Sequence, residues 1–67
     1  MKAIYFSELS LKFFPNSSQR SAVTQLRRWI ELNVELKKRL EELYYKKRQR
    51  ALTPMQHQVI IEHLGEP

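Results

Sequence analysis

An all-α, compact domain of three to four helices is the architecture this sequence predicts, and three observations lead to it. From Ser18 to Asn33 the apolar residues recur with helical period behind a serine cap. Thr53-Pro54-Met55-Gln56 carries the start signals of another helix. Between them Leu36, Leu40 and Leu43 repeat at i, i+4 and i+7. A short helix and a turn ahead of Ser18 give the whole a helix-turn-helix character, with the 18–33 helix second. A short strand pair, residues 2–6 with 48–53, is compatible with the residue types at both ends. The 67 residues make one domain, 1–67.

Residues 2–6, KAIYF, are β-prone and short, an edge strand or an extended arm. Ser7 reads as an N-cap, with Phe6 and Leu11 spaced as a hydrophobic staple. The first helix is expected from about Glu8 to Phe14, where Pro15 ends it. Leu9, Phe13 and Phe14 would face the core, Ser10 and Lys12 water. Pro15-Asn16-Ser17 is the turn.

On the next helix Ala22, Leu26, Trp29 and Ile30 share one face, with Val23 at its edge. Asn33 either ends that helix and caps another from Val34 to about Lys46, or lies inside one long, gently bent helix. Glu35–Arg39 and Glu42–Lys46 are spaced as i,i+4 pairs. One of Tyr44 and Tyr45 is expected to pack and the other to reach outward. Arg48, Arg50 and Leu52 alternate as a strand would, or the segment is a basic helix end followed by a loop. The last helix runs from Pro54 to Leu64 on a stripe of Met55, Val59, Ile60 and Leu64, and Gly65 stops it.

Charge narrows the partner. Twelve Lys and Arg stand against seven acids, all Glu, for a net charge of +5 and a pI near 9.9. Such a balance on a small domain favours polyanions. The other reading is a charge-rich, solvated surface. No apolar run approaches the ~20 residues of a membrane span, and the N-terminus lacks the apolar run of a signal peptide. With no cysteine there is no disulfide framework and no thiolate metal site. A cytoplasmic location is the default expectation.

No enzymatic site is expected. His57 and His63 are six residues apart, off the i,i+3 or i,i+4 spacing of a helical metal pair. The single glycine rules out a Gly-rich phosphate loop. The serines sit at caps and turns, without a neighbouring base to activate them. No metal, cofactor or small-molecule substrate is expected.

What remains is recognition. A DNA-reading helix needs an apolar face that locks it down and a polar face of Arg, Gln or Thr. Residues near its N-terminus reach the bases and later ones grip phosphate. Gln19, Arg20 and Thr24 are therefore the base-edge candidates, and Arg27 and Arg28 the phosphate candidates. Lys46, Lys47, Arg48 and Arg50 form a second basic patch, placed like a wing. Glu31 on the same face argues against deep insertion at that end. The partner would be double-stranded DNA. The alternative is a homodimeric protein–protein module joined through Leu36, Leu40, Leu43 and Tyr44, because a chain this short has little core of its own.

The motif order adds a resemblance. SEL at Ser7–Leu9, FFPNSS at Phe13–Ser18, LRRWI at Leu26–Ile30, RQRALTP at Arg48–Pro54 and VIIEHLGEP at Val59–Pro67 resemble a family of short gut-bacterial proteins known as a domain of unknown function. Members of that family commonly carry proline after the residue matching Asn33 and after the paired serines; Val34 and Gln19 stand there in this chain. More coarsely, Ser7–Leu9, Arg27–Trp29, Arg48–Arg50 and Thr53–Gln56 follow an order similar to MerR-like and excisionase-type winged helices. That analogy implies DNA binding by the second helix and a basic wing, on an associational warrant.

Overall fold

The computed structural model describes residues 4–66. Its elements are β1 (Ile4–Tyr5), α1 (Phe6–Phe13), α2 (Gln19–Leu32), α3 (Val34–Glu42), β2 (Ala51–Leu52) and α4 (Pro54–Leu64). The all-α expectation holds, with four helices and one short antiparallel strand pair that matches Ile4 to Leu52 and Tyr5 to Ala51. The outer part of the proposed pair, Lys2 and Ala3, lies outside the described residues. Arg48 and Arg50 are in turn and bend, so their alternation does not extend the strand.

The first helix begins earlier than its serine suggested. Tyr5 is the N-cap and offers no side-chain cap, while Ser7 lies inside the helix. The strand pairing does the capping: the Phe6 amide donates to the Arg50 carbonyl at 2.7 Å. That start puts Phe6, Leu9, Ser10 and Phe13 on one helical face. Ser10, expected in water, is fully buried there, and its hydroxyl donates to the Phe6 carbonyl at 2.7 Å. A buried hydroxyl needs such a partner, and the preceding turn supplies it. Phe14 is the C-cap, and the turn at 15–17 closes with the Ser17 amide on the Phe14 carbonyl.

In α2 the serine expectation holds: Ser18 caps it, accepting from the Ser21 amide at 3.2 Å. Asn33 then acts twice. Its amide ends α2 by donating to the Trp29 and Ile30 carbonyls, and its side chain starts α3 by accepting from the Leu36 amide at 3.1 Å. The break therefore exists with Val34 after it, because the asparagine cap supplies the turn without a proline. One long helix is excluded. The third helix stops at Glu42 rather than near Lys46, so Glu42 and Lys46 do not share a helix turn. Tyr45 donates to the Leu40 carbonyl and Tyr44 to the Glu41 carbonyl, the hydrogen-bond pair of a Schellman closure. Tyr44 takes the left-handed position at φ 63°, where glycine is the usual occupant.

The core is a single cluster of Phe6, Leu9, Leu26, Ile30, Leu36, Leu40, Leu52, Val59 and Ile60, drawn from every helix and from β2. Each fully buried leucine contributes roughly 1.5–3 kcal/mol of burial. Ala22, Leu26 and Ile30 are interior as expected. Trp29 is not: it is 42% exposed, at the edge of the stripe, with its ring edge-on to Phe13 and Phe14 at 6.1 and 4.8 Å.

Leu36 and Leu40 are fully buried in the chain's own core, and Leu43 is partly buried against it. The stripe assigned to a second copy thus faces inward, and of that set only Tyr44 is open, at 87% exposure. Tyr45 packs, half-buried, 6.5 Å from the Phe6 ring. In α4, Val59 and Ile60 are buried, Leu64 is half-buried and Met55 is exposed. Gly65 closes α4 at φ 85°, a conformation side chains avoid.

Candidate nucleic-acid interface

The expected site residues come from α2 and from the segment between α3 and β2. That segment has no helix and no strand of its own from Tyr45 to Arg50. Two glutamines hold it. Gln56, the third residue of α4, completes the capping box expected at Thr53: the Thr53 hydroxyl accepts from the Gln56 amide at 3.2 Å, and the Gln56 Oε1 accepts from the Thr53 amide at 3.1 Å. The same side chain is 2% exposed and reaches further. Its Nε2 donates to the Leu43 carbonyl at 3.0 Å, and its Oε1 also accepts from Gln49 Nε2.

Gln49 in turn donates to the Ala51 carbonyl at 2.6 Å and accepts from the Lys46 amide at 3.2 Å. A buried amide with all its partners in place specifies one arrangement of what it touches. The basic segment is thereby clipped to the start of α4. The capping-box spacing pointed to Gln56, but nothing in the sequence pointed to Gln49 or to the reach across to Leu43.

On α2 the side chains sort into three positions. Gln19, Val23 and Arg27 follow one another at i, i+4 and i+8 along the flank that faces the segment. Together with Tyr5, Phe6 and Ser7 on one side and Gln49 and Arg50 on the other, they line a groove of about 380 Å³. Arg20, Thr24 and Arg28 are exposed on the outer surface. Arg28 lies about 100° around the helix from Arg27. The Thr24 hydroxyl donates back to the Arg20 carbonyl at 3.0 Å, which leaves its oxygen to accept.

Of the basic segment, Arg50 borders the groove. Lys47 borders a second depression of about 270 Å³, with Ile30, Glu31, Lys37, Glu41 and Tyr45. Lys46 and Arg48 are exposed and line neither. The structure therefore brings Gln19, Arg27 and Arg50 together and leaves Arg20, Thr24 and Arg28 on an adjoining face.

Arg27 is the most constrained of these cations. Its guanidinium stands 5.7 Å from the centre of the Phe6 ring, a cation–π distance. Its Nε is buried and has no hydrogen-bond partner. The nearest acid along the helix is Glu31, one turn on, and Glu31 is committed elsewhere: Lys37 Nζ donates to its carboxylate at 2.9 Å, bridging α2 and α3. That hydrogen bond and charge hold the Glu31 carboxyl below its ordinary pKa and the Lys37 ammonium above its own. The remaining ion pair among the described residues is Arg39 with Glu62, at 3.5 Å between α3 and α4. Arg20, Arg27, Arg28, Lys46, Lys47, Arg48 and Arg50 thus have no carboxylate within bridging distance among the described residues. Burial pushes the Tyr45 phenol above its ordinary pKa, and Arg27 acts in the opposite direction.

The histidines stay apart. His63 Nδ1 lies 2.9 Å from the Val59 carbonyl, one turn back on α4, while His57 borders a shallow surface with Lys12, Ile61 and Glu66. No helix among the described residues is long and apolar enough to cross a membrane.

Comparison of the chain with curated proteins and with solved structures finds no match. One family model does match, from residue 1 to residue 67. Since that match takes in every residue from the β1 arm to the end of α4, the chain belongs to the family described as domain of unknown function DUF4248.

Proposed function

We propose that this protein is a small double-stranded-DNA-binding module, with α2 as the element that approaches the groove and the 46–50 segment as a flanking basic strap. The observation that carries the reading is the set of seven cations on these two elements with no carboxylate partner among the described residues, while the two acids that do pair are committed to Lys37 and Arg39. Positive charge in excess on a clipped scaffold, with Lys47 alone of the segment set beside acids, Glu31 and Glu41, suits a polyanion better than a solvated surface does. A surface built for solvation alone mixes its signs.

In this reading Gln19, Arg20 and Thr24 occupy the first turns of α2, where base edges are met, and Arg27, Arg28 and the segment grip backbone phosphate. A regulator or an accessory factor of a mobile element would both use such a module. The test is titration of mixed-sequence duplex DNA at two salt concentrations. Binding is expected to weaken steeply with salt, because each phosphate contact releases counterion, with a log–log slope of about −0.9 per contact. Absence of binding to any duplex at low salt sinks the reading.

The alternative, a homodimer through Leu36, Leu40, Leu43 and Tyr44, draws no support from the leucines, since two of them are fully buried and the third is packed against the core. Sedimentation of the purified chain tests it directly.

A further inference from the structure

We propose that the groove between α1, α2 and the basic segment is a phosphate seat, in which Arg27 and Arg50 grip one and the same phosphate group. The proposal deepens the DNA reading and rests on it for the source of that phosphate. Three observations lead to it, and the first is the orphaned donor. Arg27 Nε is buried without a partner. A buried N–H left unpaired costs about 1–3 kcal/mol, a cost that an anion in the groove would relieve by accepting from it after a small shift of the side chain. The guanidinium is held by the Phe6 ring at 5.7 Å.

The second is convergence. Arg50 lines the same groove as Arg27, and its main chain is fixed there because its carbonyl accepts the Phe6 amide at 2.7 Å. The third is sign. The residues that line the groove include two arginines, Gln19 and Ser7, and no acid. Gln49 is engaged on both sides of its amide and serves as wall, whereas Gln19 has no hydrogen-bond partner among the described side chains. Two planar guanidiniums with a neutral donor beside them match the oxygens of a phosphate. The apolar remainder, Tyr5 and Val23, offers a surface for the sugar that a DNA backbone phosphate carries and free phosphate lacks.

The full chain, labelled with ¹⁵N, is titrated with a mixed-sequence duplex and, separately, with inorganic phosphate, reading the Arg27 Nε–Hε resonance. The salt slope of duplex affinity is measured for wild type, Arg27→Gln, Arg50→Gln and the double variant, with Lys38→Gln on α3 as the unaffected control. One shared phosphate predicts that the double variant flattens the slope by about 0.9 in total, the loss of a single contact, and that each single variant flattens it by less. The Arg27 resonance should move with duplex. Arg50→Gln leaves the Phe6 contact intact, so it reads the seat even where Arg27→Gln fails to fold.

A double variant that flattens the slope by the worth of two contacts assigns the arginines to separate phosphates and overturns the seat. Wild-type slopes in all variants overturn it while the DNA reading stands. Where no duplex binds, a shift of the Arg27 resonance with inorganic phosphate supports the seat for a free phosphate group and removes the DNA reading; no shift removes both.

Discussion

The two flanks of α2 use the same first helix in opposite ways. On one side Trp29 meets Phe13 and Phe14 edge-on and closes the seam with aromatic surface. On the other side Arg27 lies over Phe6, and beyond it the seam opens into a groove bordered by Arg50. Both flanks join an aromatic ring of α1 or its C-cap to a large side chain of α2, and only one leaves a buried donor without a partner. The difference separates what holds the helices together from what is available to something else. The Trp29 flank adds stability and carries no free hydrogen-bonding capacity from α1. The Arg27 flank gives up a sealed seam and keeps a charged nitrogen buried.

The strongest way to break this comparison is at its centre. Leu26→Ala removes a fully buried side chain between the flanks and should cost about 2–5 kcal/mol. That is a large part of the stability of a domain this size, at roughly 0.05–0.15 kcal/mol per residue. Urea denaturation should show loss of most of the cooperative transition.

Gln56→Leu should act on the groove side alone. It leaves the Leu43 carbonyl and the Thr53 amide without their partner and removes one of the hydrogen bonds of Gln49, at about 1–3 kcal/mol. Amide exchange should rise across 46–51 while the Trp29 emission keeps its position. Trp29→Ala is the converse. It should cost about 1–2 kcal/mol through the lost ring contacts and leave duplex affinity unchanged. A drop in affinity would show that the sealed flank is part of the interface.

Tyr44→Gly relieves a left-handed backbone at the entrance to the basic segment and should raise the midpoint of thermal unfolding, by about 0.5–1 kcal/mol of stability. If affinity falls in that variant, the exposed ring has a role beyond the turn. The smallest effect is the pH response of Tyr45. Its phenol is held above its ordinary value of 10.0 in the folded chain, chiefly by burial. The neutral form is therefore the folded form. Stability is whole below pH 10 and declines as pH rises through the folded value, which Tyr45→Phe should abolish.

How much of this was legible depends on whether a signal was local. The caps at Ser18 and Thr53 were, because a cap and its partner sit three residues apart in the chain. The apolar stripe of α2 was too, apart from Trp29, whose size on the wheel hid its place at the margin. The start of α1 is not legible locally: Ser7 has the residue type of a cap, while the partner of the Phe6 amide is the Arg50 carbonyl, 44 positions away. The buried face of α1 is legible once Phe6 is its first residue, since Phe6, Leu9, Ser10 and Phe13 stand at i, i+3, i+4 and i+7.

The leucines of α3 were legible as apolar and illegible as interior, since periodicity gives a face and not what covers it. For the interface, residue types named the cations correctly as exposed or half-exposed. The assignment of Gln19, Arg27 and Arg50 to a common groove depended on a loop held by Gln49 and Gln56, and long-range amide bonds leave no periodic trace.

Asn33 has a consequence for how this chain tolerates change. One residue is both the end of α2 and the start of α3, so the corner has no slack. The rotation of α3 about its axis is set directly by where α2 stops. A single residue inserted between Asn33 and Leu36 would turn the rest of α3 by about 100°, swinging Leu36 and Leu40 out of the core and charged residues into it. Substitutions along α3 can be absorbed one at a time, but a change of length at this corner cannot.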